Sequence, residues 1–107
     1  MRFGIVLAPS AVEELKALPA HVRAAVRDAI ERHLRVEPRK VSKSRIKRLR
    51  GVDRPQYRLR VEEIRVFYDV SKTTVEILAI VSKGAAAAWL KEKGWPGSAS
   101  GAGQGEG

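Results

Sequence analysis

The stretch Tyr57-Arg-Leu-Arg-Val-Glu-Glu-Ile-Arg-Val-Phe-Tyr-Asp-Val70 decides how the rest of the chain is read. Apolar and polar residues alternate on both sides of Glu62-Glu63, which predicts two antiparallel strands joined at that pair. With the acidic pair at the tip, Val61 lies opposite Ile64, Arg60 opposite Arg65, Leu59 opposite Val66 and Arg58 opposite Phe67. Side chains change face at each residue, so Tyr57, Leu59, Val61, Ile64, Val66, Tyr68 and Val70 form a core face. Arg58, Arg60, Arg65, Phe67 and Asp69 form the other. Like charges directly across a strand pair repel by roughly 0.2–1 kcal/mol. Such a stack makes sense where an anion normally sits between the cations, because guanidinium groups fork two hydrogen bonds onto phosphate oxygens. Phe67 adds a ring on which a base can stack. The plainer alternative is that the arginines merely solvate an exposed sheet face.

Working outward, residues 2–8 (RFGIVLA) predict a first strand, ended by Pro9 and Ser10. Ser10 and Glu13 have the spacing of a capping box at the start of a short helix through Leu18. Pro19 opens a second helix whose apolar stripe is Val22, Val26, Ala29, Ile30 and Leu34. Pro38 breaks it, and residues 38–44 form a basic connector. Residues 45–50 (RIKRLR) predict a weak strand, followed by a turn at Gly51 and VDRP. Residues 74–82 (TVEILAIVS) are apolar in both phases, as a strand in the middle of a sheet requires. Gly84 begins a short helix, AAAAWLKEK, stopped by Gly94. The order predicts an α+β domain: a small antiparallel sheet with an N-terminal helical hairpin on one face and a short C-terminal helix. Residues 1–94 are expected to form that single domain, and the Gly/Ser-rich stretch 95–107 a flexible tail.

The chain has 107 residues, with 21 Lys and Arg against 12 Asp and Glu, a formal net charge of +9. That excess points to a polyanion or an acidic protein as partner. Arg45, Lys47, Arg48 and Arg50 extend the basic surface ahead of the hairpin, and together with Phe67 they are candidate RNA-binding residues. No cysteine is present, so disulfide frameworks and thiolate zinc sites are ruled out, and a reducing cytoplasm fits. No run of about 20 apolar residues is available to span a membrane. His21 and His33 lack a second ligand type at metal spacing and read as structural or surface residues, so no metal or other cofactor is expected. Tyr57 and Tyr68 fall in the core phase, and Trp89 reads as a packing anchor.

The run K-x-L-x-G at 47–51, YRLRV at 57–61 and IRVFY at 64–68, continued by VEILAIVSKG, resembles the RelE/ParE superfamily of bacterial type II toxins, over roughly residues 2–93. The RelE branch implies a metal-independent mRNA endonuclease working on the ribosome. There the ribose 2′-hydroxyl attacks the adjacent phosphate, which calls for cations on the phosphate, a base and an acid. Carried over by position, Arg58, Arg60 and Arg65 would be the catalytic arginines. RelE-type nucleases also place an arginine after the last strand and a tyrosine in the last helix, where this chain reads VSKGAAAAWL. Lys83 stands in that region as a substitute donor, or as a base if neighbouring cations depress its pKa. The same departures fit the ParE branch, whose resemblance implies a non-enzymatic inhibitor of DNA gyrase, and they also fit an inactive relative. Either branch implies a cognate acidic antitoxin. Its segment is expected to fold onto the basic face or to displace the helix Ala85–Lys93.

Overall fold

The hairpin is the centre of a five-stranded sheet. In the computed structural model, which describes residues 2–96, strand β1 (Gly4–Leu7) is followed by helices α1 (Pro9–Ala17) and α2 (Ala20–Ala29). A π-helical turn over Ile30–Leu34 prolongs α2, and then come β2 (Ile46–Arg48), β3 (Val52–Arg54), β4 (Tyr57–Val61), β5 (Ile64–Val70), β6 (Thr74–Ser82), α3 (Lys83–Lys93) and β7 (Trp95–Pro96). The main sheet runs β1-β6-β5-β4-β2, antiparallel except where β1 lies parallel to β6. This is the α+β arrangement that the pattern predicts, with β6 internal, as its two-sided apolarity requires.

The hairpin register is the expected one: Tyr57 pairs with Tyr68, Arg58 with Phe67, Leu59 with Val66, Arg60 with Arg65 and Val61 with Ile64. Every residue assigned to the core face is buried. Those side chains pack with Ala11 and Leu15 of α1, Val26 and Ala29 of α2, and Ile30 and Leu34 of the π-helical turn, so the helical hairpin covers this face. Tyr57 and Tyr68 stack at 5.5 Å, and the Tyr68 hydroxyl donates to the Pro38 carbonyl at 2.7 Å. That bond ties the connector after the helices to the sheet.

Two local expectations are corrected, and one irregularity is added. The capping box does not form: α1 starts two residues early, at Pro9, whose missing N–H suits a first helical turn, and the Ser10 hydroxyl donates instead to the Leu78 carbonyl. The VDRP turn is in part a strand, because Val52–Arg54 pairs antiparallel with Trp95–Pro96. The expected tail therefore begins with a paired strand, and the rest of it lies outside the described residues. Finally, β5 and β6 slip register between Phe67 and Tyr68, so Phe67 faces Ala79 while Tyr68 faces Ile77. The bulge leaves Leu78 without an opposite number and sets Asp69 across from Glu76.

Candidate functional site

Strand alternation and register put Arg58, Arg60, Arg65 and Phe67 on the face away from the helical hairpin, with Lys47 of β2 opposite Arg58. The same face receives α3, because Trp89 lies flat on Phe67 with ring centroids 4.9 Å apart and planes 6° apart. Phe67 is completely buried as a result. The base-stacking ring expected from the sequence is thus already stacked, on Trp89.

The three arginines have different surroundings. Arg65 is only 8% exposed, and its Nη1 donates to the carbonyls of Glu62 at 2.8 Å and Ile64 at 3.1 Å. It clasps the tip of its own hairpin, where Glu62 takes the left-handed conformation with φ 54°. Arg58 is half-buried, and its Nε is buried with no hydrogen-bond partner. Burial, followed by the charges of Arg65 and Arg60, pulls the Arg58 pKa below the ordinary guanidinium value. An anion brought to Arg58 would relieve both penalties. Arg60 is exposed. Its backbone N–H donates to the Arg45 carbonyl at 2.8 Å, and the residue stands at the sheet edge bordering a cleft beside α2.

The remaining candidates divide in the same way. Arg48 falls on the opposite face from Arg58, with its guanidinium over the Tyr57 ring at 5.3 Å and Nη1 donating to the Gln56 carbonyl at 2.8 Å. Arg50 is exposed between β2 and β3. Lys83 is exposed at the first position of α3, and its backbone N–H donates to the Glu63 carbonyl at 2.7 Å. Arg45 reaches toward the helices, where Nη1 stands 3.1 Å from His33 Nε2. Guanidinium only donates, so this His33 nitrogen accepts and the ring is neutral. Burial, then the charges of Arg45 and Arg32, hold the His33 pKa below the ordinary imidazole value. The sequence alone reads His33 as a structural or surface residue. A single histidine at the end of a helix gives no signal of the arginine it meets from the connector just before β2, twelve residues on.

Asp69 and Glu76, paired across β5 and β6, are already engaged. Asp69 accepts from Arg54 Nε at 2.6 Å and from the Gln56 backbone N–H at 2.8 Å, while Glu76 accepts from Arg54 Nη2 at 3.0 Å. Gln56 completes the join by accepting from the Val70 N–H at 2.8 Å. Burial raises the Tyr68 pKa far above the ordinary phenol range. Among the described residues no group of three or more His, Cys, Asp or Glu side chains is placed to hold a metal ion. No helix among them is long and apolar enough to cross a membrane.

Comparison with known proteins converges on one superfamily. The archaeal RelE–RelB complex of Pyrococcus horikoshii contains a chain that superposes with a TM-score of 0.60 at 26% identity, covering 78% of this chain and 98% of that one. A chain of the toxin–antitoxin complex RelBE2 from Mycobacterium tuberculosis superposes at 0.58 with 26% identity, covering 77% and 99%. The RelB–RelE complex of Methanococcus jannaschii gives 0.60 at 21% identity, covering 78% and 96%. No curated protein matches by sequence. Residues 5–86, which run from β1 through the first turn of α3 and include the whole arginine hairpin, match the family described as the ParE toxin of the type II toxin–antitoxin system parDE. With that match over most of its length and a RelE-like sheet beneath it, the chain belongs to the ParE toxin family of the RelE/ParE superfamily.

Proposed function

We propose that this toxin acts by binding its target rather than by cleaving RNA, and that the target is DNA gyrase, as the ParE kinship implies. The observation that carries this reading is the state of the arginine face. It supplies guanidinium donors suited to binding, while Asp69, the carboxylate on that face, is committed to Arg54 and Gln56, and Tyr68 is turned into the core toward Pro38. Arginine itself holds its proton at any accessible pH, so it clamps anions without serving as an ordinary base. The matching chains from Methanococcus jannaschii and Mycobacterium tuberculosis come from toxin–antitoxin complexes, which supports a cognate acidic antitoxin for this chain as well. A +9 surface would draw it in quickly.

A second reading, mRNA cleavage on the ribosome, is favoured by Arg58, a half-buried cation with an unbonded Nε beside Arg60 and Arg65. In it Arg58, Arg60 and Arg65 would grip the scissile phosphate, and Lys83 would supply the proton transfer. Two assays separate the readings. Purified toxin is expected to inhibit gyrase supercoiling and to leave ribosome-bound messages intact. Cuts inside codons, lost on Lys83→Ala in a variant that keeps its fold, together with unaffected gyrase, would reverse the conclusion.

A further inference from the structure

The cleft that Arg60 borders lies where the sheet edge is open. Strand β2 begins at Ile46, opposite Leu59, so β4 runs on past it. There the edge faces α2 and the π-helical turn across a cleft of about 500 Å³, with Arg32, Arg45, Arg60, His33 and Ser44 on its walls. Ala25, Ala29 and Val61 are small or short enough to leave the space open. Three arginines line one small volume together with two carboxylates, Asp28, which pairs with Arg32 at a loose 3.6 Å between two exposed side chains, and Glu62, which has no ion pair among the described residues. Arg45 is propped by a neutral imidazole instead. Arg60 makes no side-chain hydrogen bond or ion pair among the described residues.

We propose that this cleft is a phosphate seat, in which Arg45, Arg60 and Arg32 hold the non-bridging oxygens of a phosphate or phosphodiester, Ser44 adds a hydroxyl donor, and His33 is the positioning residue that orients Arg45. Three forked cations around one point match a tetrahedral oxyanion better than a planar carboxylate, which offers two oxygens in one plane. Using a neutral acceptor to hold Arg45 leaves its charge uncompensated, whereas a carboxylate in the position of His33 would fill the role of the ligand. The seat is separate from the buried Arg58 and Arg65, and it does not depend on whether gyrase or the ribosome is the target. A nucleic-acid backbone and free phosphate share the required chemistry.

The full-length protein, titrated with inorganic phosphate at low ionic strength, is the test, read by NMR of the arginine side-chain Nε–H groups. Saturable shifts are expected at Arg45 and Arg60, and Arg45→Ala or Arg60→Ala should weaken binding about tenfold or more, as loss of a charge-assisted bond does. His33→Ala should also weaken it, and His33→Gln, whose amide oxygen can accept from Arg45, should restore most of the loss, which a purely structural histidine would not show. All three residues are exposed or half-buried, and unchanged thermal melts separate lost binding from lost folding. A short single-stranded RNA or DNA duplex that competes with phosphate for these shifts identifies the nucleic-acid backbone as the source, and failure to compete identifies the free ion; both outcomes uphold the seat. Absence of saturable shifts would overturn it. So would full binding by the cleft variants with loss in Arg58→Ala.

Discussion

At the scale of single residues, the arginines show how one pattern yields different roles. Their common face was legible because a strand has period two and the apolar set fixes which phase is buried. Their environments were not, since burial of Arg65 depends on the turn it clasps and on the helix that returns over the sheet. Glu62 sits at φ 54°, a conformation costing a side-chain-bearing residue about 1–2 kcal/mol. Glu62→Gly is therefore expected to raise stability by up to about 1 kcal/mol in urea unfolding, part of the gain being lost to the freer unfolded chain. Arg65→Ala should lower it, and the double variant should fall short of additivity, because both changes act on one turn. His33 gives a pH signature. Its folded pKa lies below the ordinary 6.5 for the reason of burial beside Arg45 and Arg32, opposed only weakly by Asp28. The unfolded chain then binds the proton more readily, so the contribution is intact above about pH 6.5 and is lost as pH falls through the lowered folded value. Thermal midpoints measured from pH 7 downward should drop less steeply in His33→Gln.

Among the elements, those with a strong period were readable and those made by distant partners were not. The stripe Val26, Ala29, Ile30 and Leu34 became the buried face of α2 and its π-helical extension. The β3–β7 pair left no trace in the sequence, since three residues near position 53 and two near 95 carry no alternation of their own. That pair matters for α3, which has no buried residue. The helix is held by the Ser82 hydroxyl accepting from the Ala85 N–H at 3.3 Å, by the Trp89–Phe67 stack, and by β7 beyond Gly94. A Cβ on Gly94 would meet the Leu90 carbonyl oxygen at 2.6 Å, closer than real contacts allow. Gly94→Ala should force the helix end apart from β3 and speed amide exchange along α3, while exchange in β5 and β6 stays slow. Trp89→Ala should cost the ring-pair energy, about 0.5–1.5 kcal/mol, in addition to the lost apolar area, and should open Phe67 to solvent. Equal exchange rates in the wild-type and Gly94→Ala helices would show that β7 does not retain α3.

For the whole molecule, charge and topology govern behaviour. The net charge of +9 is what remains of 21 cations after 12 carboxylates are counted; ion pairs hold Arg54 and Arg35, while Arg58, Arg60 and Arg50 have no ion pair among the described residues. Binding to any polyanion should weaken steeply with salt, with a log–log slope that counts the phosphates engaged. A slope near zero would show that the basic surface does not touch nucleic acid. The sheet itself closes late: Gly4 pairs with Thr74, so β1 waits for most of the chain before its parallel partner exists.

The chain has two tryptophans, and both serve the last helix: Trp89 is pressed on Phe67, and Trp95 belongs to the short strand that follows. Intrinsic fluorescence is therefore blind to most of the sheet and sensitive to undocking at the carboxyl end. A titration followed by emission wavelength alone would report when a partner lifts that helix, with no dye attached and no confusion with global unfolding, which circular dichroism would register separately.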